Sequence, residues 1–239
     1  MTSYGQFCPI AKAASVLMER WTLLILREFL CGSHRFNELE RGLPGISHPL
    51  LAKRLRTLAD CGIIAPAISS TGEPAGYDLT ERGLELLPIV MGIGEWGQRW
   101  LNEGTQPSEI DPDLLMWDIH RRLDVSGVEQ KRVVVEVDFR GACTVSYWLV
   151  IEPPTASVCH TDPGFDIDLL VTADTRTLHD VWIGRADLAT ALRLGLVCLD
   201  GASALRRAFP TWLQLSPFAH IPFNGSTRPN AMLPDGEAP

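Results

Sequence analysis

Apolar positions in the first hundred residues recur mainly at the three- and four-residue spacing of an amphipathic helix. This pattern predicts four helices, then two short strands around a turn, then a longer helix that begins at a Thr cap. Pro88 should kink that last helix or lie near its start, because proline cannot donate a backbone hydrogen bond. The predicted order is helix, helix, helix, helix, hairpin, helix.

The pattern changes after Asn102–Asp113, a polar stretch with two prolines that we interpret as a linker. Beyond it, a helix precedes strands in which apolar and polar residues alternate, and further helices follow. We therefore predict a part over residues 1–104, a part over residues 105–216 and an irregular tail over residues 217–239. The predicted fold class is α+β, with a mainly helical first part and a second part whose mostly antiparallel sheet is covered by helices.

Composition narrows the class of protein. With 239 residues, of which 46% are hydrophobic and 21% charged, the chain is typical of a soluble globular protein. No apolar run approaches the ~20 residues of a membrane-spanning helix, and the N-terminus does not resemble a secretory signal. The six cysteines form no CxxC motif and no Cys/His ligand spacing, so they predict mostly buried thiols. We expect a cytoplasmic protein without a membrane partner.

The net charge of −8 is distributed unevenly, with −1 on residues 1–104 and −7 on residues 105–239. Against this acidic background, the sixteen residues Pro44–Ala59 contain no acid. They carry three cations, which are Lys53, Arg54 and Arg56. A helix with such a face is a candidate for contact with an anionic partner.

The acid-free run has clear helix boundaries. Ser47 or His48 can cap its start, and Pro49 suits the first turn. Gly62 can take the left-handed conformation that ends helices. The leucines of this helix fall on one face and most of its cations on the other, with Arg54 at the border.

Several motifs of the first part occur together in order: Cys8-Pro9, RWTLLIL, RFNEL, LPGIS and YDLTERG. From about Cys8 to Trp96, the chain resembles the HxlR-type regulators of bacterial transcription, which are winged helix-turn-helix proteins related to the MarR type. The resemblance implies that the acid-free helix reads the major groove and that the hairpin is the wing. It also implies a homodimer that binds a double-stranded DNA operator.

The resemblance suggests specific DNA contacts. The candidates for base edges or nearby phosphates are Ser47, His48 and Lys53, and those for phosphates alone are Arg35, Arg54 and Arg56. Arg54 has an alternative role, because its stem could pack against the core and contribute to folding. The wing tip, residues 69–76, contains no basic residue, so any wing contact would use backbone amides.

Cys8 is a candidate redox site. In some HxlR-type regulators, a cysteine at this position senses oxidants or electrophiles. Cys8 lies near a predicted helix start, which favours the thiolate, and Lys12 is one turn further on. The alternative is a small buried residue at a dimer contact.

The second part carries the stretch DLLVTADTRTLHDVWIGRADLATALRLGLVCLDGASALRRAFPTWL. Over about residues 110–213, the chain resembles the sterol-carrier-protein type of domain. The resemblance implies helices over one face of a sheet, with an apolar cavity that takes fatty acyl, sterol or similar ligands in some members. Candidate lining residues are Phe139, Tyr147, Leu149, Trp182 and Trp212. The alternative is that these five residues belong to a packed core and line no cavity.

Together these features predict a bacterial transcriptional regulator whose second part senses an apolar small molecule or lipid. One alternative is a thiol switch at Cys8, with the second part only supporting dimerisation. Another is a lipid-binding carrier that uses the winged helix for protein contacts. An enzyme is the least favoured class, because no nucleophile–base pair, paired acids or metal-ligand spacing occurs. We expect no metal and no cofactor.

Overall fold

A computed structural model describes residues 4–68, 72–101, 105–141 and 144–223 of the chain. Within these ranges, buried apolar residues form two clusters, one in the helices and hairpin of the N-terminal region and one in a C-terminal sheet domain. Part of the predicted wing tip, residues 69–71, and most of the predicted tail, residues 224–239, lie outside the described ranges. No helix within these ranges combines the length and the apolar character that crossing a membrane requires.

The N-terminal region follows the predicted order of elements. They are α1 (Pro9–Leu17), α2 (Thr22–Leu30), α3 (Phe36–Arg41), α4 (His48–Asp60), β1 (Ile64–Ile68), β2 (Pro74–Leu79), α5 (Glu81–Leu84) and α6 (Leu87–Trp100). The last predicted helix is divided into α5 and α6, and Pro88 lies in the first turn of α6. A proline is tolerated there because that N–H has no partner within the helix.

The N-terminal core forms around α2, whose sequence leaves almost no polar face. Ile25 and Leu26 of α2 are fully buried, as are Leu51 and Leu55 of α4. The turn that joins α3 to α4 contains Gly45 at φ +88°, a conformation that side-chain-bearing residues rarely adopt. The turn leads into α4, whose buried leucines belong to the same apolar cluster as those of α2.

The C-terminal sheet domain contains five strands and four helices among its described residues. They are α7 (Pro112–His120), β3 (Val133–Phe139), β4 (Val145–Glu152), β5 (Thr155–Cys159), β6 (Leu169–Ala173), α8 (Thr175–Trp182), α9 (Leu188–Arg193), β7 (Val197–Gly201) and α10 (Ser203–Trp212). The strand order is β5-β4-β3-β6-β7, in which only the β3–β6 pair is parallel. The predicted mixed fold with a mostly antiparallel sheet is confirmed.

The five side chains predicted to line an apolar cavity lie inside the C-terminal core. Phe139, Tyr147 and Leu149 are 0% exposed, Trp182 is 7% exposed and Trp212 is 3% exposed. The rings of Phe139 and Tyr147 pack edge to face with centroids 5.8 Å apart. None of the five lines the open groove of about 420 Å³ between α9, β7 and α10. The geometry favours the alternative role in a packed core, and the sterol-carrier type of cavity stays a prediction.

The two regions contact each other through α6. The side chain of Gln98 is buried, and its Nε2 donates to the backbone oxygen of Ile183, 3.1 Å away. Phe218 packs against Gly94, where a Cβ atom would come within 2.3 Å of the ring. Phe218 belongs to the predicted irregular tail. The first seven residues of this tail, 217–223, pack back onto the fold without forming a helix or strand.

Candidate nucleic-acid interface

Helix α4 presents two different faces. Leu51, Leu55 and Leu58 are at most 1% exposed and join the N-terminal core. On the opposite face, Lys53 and Arg56 are exposed to solvent. The predicted division into an apolar and a cationic face is therefore present in the fold.

The start of α4 is held by α3. Ser47 is the N-cap residue, with extended backbone and no capping bond from its side chain, and Pro49 lies in the first turn. The imidazole of His48 packs on the ring of Phe36 with centroids 4.3 Å apart, and its Nδ1 lies 3.3 Å from Oε1 of Glu40. Ser47 and His48 are both exposed, but the orientation of His48 is already set by α3.

Three of the predicted cations remain available to an outside partner. We call Arg35, Lys53 and Arg56 the basic face; all three are exposed, and none forms an ion pair with an acid in the described ranges. Nε of Arg56 donates to the backbone oxygen of Ala52 in its own helix, at 3.3 Å. Because these charges are not neutralised within the chain, they can contact phosphate oxygens or base edges.

Arg54 differs from its neighbours. Its Nη2 lies 2.8 Å from Oε2 of Glu19, and its Nε donates to the backbone oxygen of Arg20 at 3.0 Å. The side chain is only 14% exposed. The predicted phosphate contact is not supported by this geometry, since the guanidinium is already bound to the turn between α1 and α2. The structure favours the alternative role in folding.

Cys8 lies directly before α1 as its N-cap residue, and its thiol is half-buried. Its backbone oxygen accepts from the N–H of Lys12, 3.1 Å away, so Lys12 is one turn along the helix as expected. Four of the five cysteines in the described ranges are half-buried, and Cys198 is exposed. The expectation of mostly buried thiols is therefore wrong for these five, because the cysteines lie at or near the ends of helices and strands.

The sequence model of the HxlR-like helix-turn-helix family matches residues 16–105, which include all of α2 to α6. YvaP of Bacillus subtilis, named as an uncharacterized HTH-type transcriptional regulator, is 36% identical over 109 residues, covering 45% of this chain and 97% of YvaP. The chain belongs to the HxlR-like helix-turn-helix family. It is a transcriptional regulator with a helix-turn-helix region, and the family match leaves the C-terminal sheet domain outside.

Two further proteins are similar to the chain. The HTH-type transcriptional regulator sll1512 of Synechocystis is 36% identical over 100 residues, covering 41% of this chain and 74% of sll1512. The solved structure of the redox regulator HypR in its oxidized form is 33% identical, covers 38% of this chain and 95% of HypR, and has a TM-score of 0.35. YvaP and sll1512 are both named as HTH-type transcriptional regulators.

The structure also reveals a cluster of charges that sequence reasoning missed. We call it the junction network, because it joins α2 of the HxlR-like region to α7 of the sheet domain. Its members are Arg27, Glu28, Ser33, Asp118 and Arg121. Glu28 is fully buried, and its Oε2 lies 2.7 Å from Nη1 of Arg121. Nη2 of Arg27 lies 2.7 Å from Oε1 of Glu28, and Arg121 also pairs with Asp118.

The junction network keeps a carboxylate charged in the interior. Burial raises the pKa of Glu28, but hydrogen bonds and attraction from Arg121 and Arg27 outweigh burial, so the net pKa lies below its usual value. Burial raises the pKa of Asp118, and Arg121 offsets this only in part. Glu28 is therefore the anion to which both arginines are anchored.

Gly42 lies against the junction network, and its lack of a side chain leaves room for the Glu28 carboxylate. Its φ of −73° is ordinary, so it is not needed for backbone freedom. A Cβ at Gly42 would lie 1.9 Å from the Glu28 carboxylate, and the Gly42 oxygen accepts from Nη2 of Arg27 at 2.6 Å. For the junction network itself the sequence did contain a signal, because Arg27-Glu28 is a charged pair inside an otherwise apolar helix.

Proposed function

We propose that the protein is a homodimeric HxlR-type regulator that binds a DNA operator through the basic face of α3 and α4. The observation that supports this most directly is the pair Lys53 and Arg56 of α4. Both are exposed, have no acid partner among the described residues, and lie in a run without an acid from residue 44 to residue 59. Neutralising phosphates with such residues releases counterions, which provides affinity independent of base sequence. In this proposal Ser47 and His48, which are exposed at the start of α4, contact base edges.

A stripe of exposed apolar residues on α6 supports the dimer. Ile89, Ile93, Trp96 and Trp100 are 43–54% exposed and follow one another at intervals of four, three and four residues, which places them on one side of the helix. Ile10 of α1 is 79% exposed. A cleft of about 450 Å³ between α1 and the α5–α6 segment can take apolar side chains from a second copy. Surface of this kind is typical of a protein–protein interface.

The test of operator binding is a fluorescence anisotropy titration with DNA from upstream of the protein's own gene, at several salt concentrations. We expect binding that weakens steeply with salt and a footprint over two half-sites about 34–36 Å apart or a multiple of this spacing. Analytical ultracentrifugation should give a dimer at micromolar concentration. A monomer that binds no upstream fragment would contradict the proposal.

Effector sensing by the sheet domain is part of the same proposal. What supports it is the double contact between the two regions, through Gln98 and Ile183 on one side and the junction network on the other. A domain fixed to α2 and α6 in this way can transmit a change of its own bound state to the dimer and to α4. The five residues expected to line an apolar cavity are buried in the core and do not line the open groove of about 420 Å³. A ligand that stabilises the full chain and shifts operator affinity would support sensing.

The second candidate is a thiol switch at Cys8. It is favoured by the position of Cys8 as the N-cap of α1, next to Phe7, which is 94% exposed. If this candidate is correct, Cys8→Ser should bind the operator normally but lose its response to diamide. An equal oxidant response in wild type and variant would exclude Cys8.

A further inference from the structure

A small cleft lies where the turn from α3 to α4 meets the sheet domain. Its volume is about 170 Å³. Arg41 and Pro44 form the wall on the helix-turn-helix side, and the first turns of α7 together with the end of β5 form the other wall. The cleft is thus shared between the element that leads into α4 and the domain attached to it.

The two walls of the cleft carry opposite charges. Arg41 is exposed and forms no ion pair with an acid in the described ranges, while Asp111 and Asp113 line the facing wall. Oδ1 of Asp113 accepts from the hydroxyl of Tyr147 and lies 3.5 Å from Nδ1 of His160. Its other oxygen has no described partner. Tyr147 remains a neutral donor, because burial and Asp113 both raise its pKa.

Trp117 brings an unpaired polar atom to the wall of the cleft. Its indole lines the cleft and is 9% exposed, and its Nε1 is buried with no hydrogen-bond acceptor among the described residues. The guanidinium groups of Arg41 and Arg121 lie 5.6 Å and 5.8 Å from the ring centre. An unpaired buried N–H costs free energy, so an acceptor supplied by a ligand would be favourable.

We propose that this cleft binds a small amphoteric molecule of the amino-acid class. Its carboxylate faces Arg41 and the Trp117 N–H, and its amine faces Asp111 and Asp113. A ligand with only a negative charge would be repelled by the carboxylates of Asp111 and Asp113. A ligand with only a positive charge would be repelled by the guanidinium of Arg41. The volume lies below the ~300–1,000 Å³ of sites for drug-sized ligands, which excludes a sterol or a long acyl chain.

The site would act on DNA binding through the turn before α4. Arg41 is the last residue of α3, and Pro44 lies in the turn that leads to Ser47. A ligand that bridges Arg41 to Asp113 therefore favours one placement of the turn relative to α7. This part of the inference rests on the proposed function, because it requires that α4 binds an operator. The coupling must be reciprocal, so operator binding changes ligand affinity by the same factor.

The first experiment is a thermal-shift measurement on the full chain with each of the twenty common L-amino acids. At least one should raise the melting temperature, by about 5–10 °C at a hundred times its Kd. Its N-acetyl and carboxamide derivatives should each bind about ten- to hundredfold more weakly, because each lacks one charged hydrogen bond. No shift with any of the twenty, or equal binding of both derivatives, would overturn the proposal.

Two variants and a matched control locate the site. Arg41→Gln and Asp113→Asn should each weaken binding of the active amino acid about tenfold or more in isothermal titration calorimetry. Arg20→Gln is the control, because Arg20 is also exposed and stacks on a tryptophan, Trp21, with 5.2 Å to the ring centre, but lies outside the cleft. Arg41 is exposed, so its replacement leaves the core intact. Equal affinity in Arg41→Gln and Arg20→Gln would refute the assignment.

An operator titration at saturating amino acid then tests the coupling. We expect the operator Kd to change by about 5–150-fold. The thermal shift needs no DNA, so failure of the ligand site is distinguishable from failure of the proposed operator binding. An unchanged operator Kd with the ligand bound would overturn the coupling and leave the DNA-binding proposal intact.

Discussion

The cations of α4 and those of the junction network belong to the same residue types but have opposite surroundings. Lys53 and Arg56 are exposed and lack acid partners in the described ranges, whereas the side chain of Arg121 is 9% exposed and bonds to the fully buried Glu28. An exposed charge contributes little to folding but remains available to DNA. A buried charge pair contributes to stability only while both partners are present. Location, and not residue type, therefore separates binding residues from structural ones in this protein.

The largest effect should follow from breaking the junction network. Arg121→Met leaves the buried Glu28 carboxylate with Arg27 as its remaining cation and Ser33 as a neutral donor, so the free energy of unfolding should fall by about 3–5 kcal/mol. Urea unfolding measures this change. Arg122→Met is the matched control, because Arg122 is the next residue but has no acid partner among the described residues, and its Nε donates to the backbone oxygen of Leu215 at 2.9 Å. A similar loss in both variants would remove the distinction between buried and exposed cations.

Stability should also depend on pH through His120, the residue that precedes Arg121 in the chain. Burial lowers the pKa of His120 to about 4 from its ordinary value of 6.5, despite the hydrogen bond of its ring to Trp117. Between these two values the unfolded state binds more protons than the folded state. Stability should therefore fall by up to about 3 kcal/mol as the pH drops from 6.5 to 4, and level off below.

Urea unfolding of wild type and His120→Gln at pH 7.5 and pH 5 measures this contribution. The variant should lose less stability than the wild type between the two pH values. Some pH dependence of the same sign should remain, because burial also lowers the pKa of His179. Identical pH dependence in the two proteins would show that His120 is not the titrating group.

Substitutions in the basic face should have the opposite effect: they should weaken operator binding and leave stability nearly unchanged. Lys53→Ala and Arg56→Ala should each weaken operator binding by about 1–3 kcal/mol and reduce the salt slope by ~0.9 where a phosphate contact is lost. Their melting temperatures should stay close to that of the wild type, since both side chains are exposed. Anisotropy titrations and thermal unfolding measure the two quantities. Unchanged affinity at every salt concentration would exclude α4 as the DNA-contacting helix.

Arg54 lies between the two cases and should give the smallest effect. Arg54→Ala removes the ion pair with Glu19, which is partly exposed, so stability should fall by about 0.2–1 kcal/mol. Operator affinity and its salt slope should not change, in contrast to Arg56→Ala. A salt slope reduced as much as in Arg56→Ala would restore Arg54 to the set of phosphate contacts.

The sequence by itself determined the elements and their order. Apolar spacing and capping residues are local properties, so α1 to α4, the hairpin and the alternating strands of the sheet domain could be predicted from short windows of the chain. The acid-free run also identified the exposed cations Lys53 and Arg56. The order of motifs further indicated the HxlR-like family, because each motif encodes one part of the helix-turn-helix.

Only the tertiary structure decided which charges meet. Arg121 is 93 positions from Glu28 along the chain, and the partners Gln98 and Ile183 are 85 positions apart. No local pattern encodes such contacts, since they depend on how α2, α6 and α7 pack. The same holds for Gly42, which is required by the Glu28 carboxylate beside it and not by its own backbone angles. Arg54 and Arg56 look alike in the sequence, but Glu19 pairs with one of them only because the α1–α2 turn lies against that side of α4.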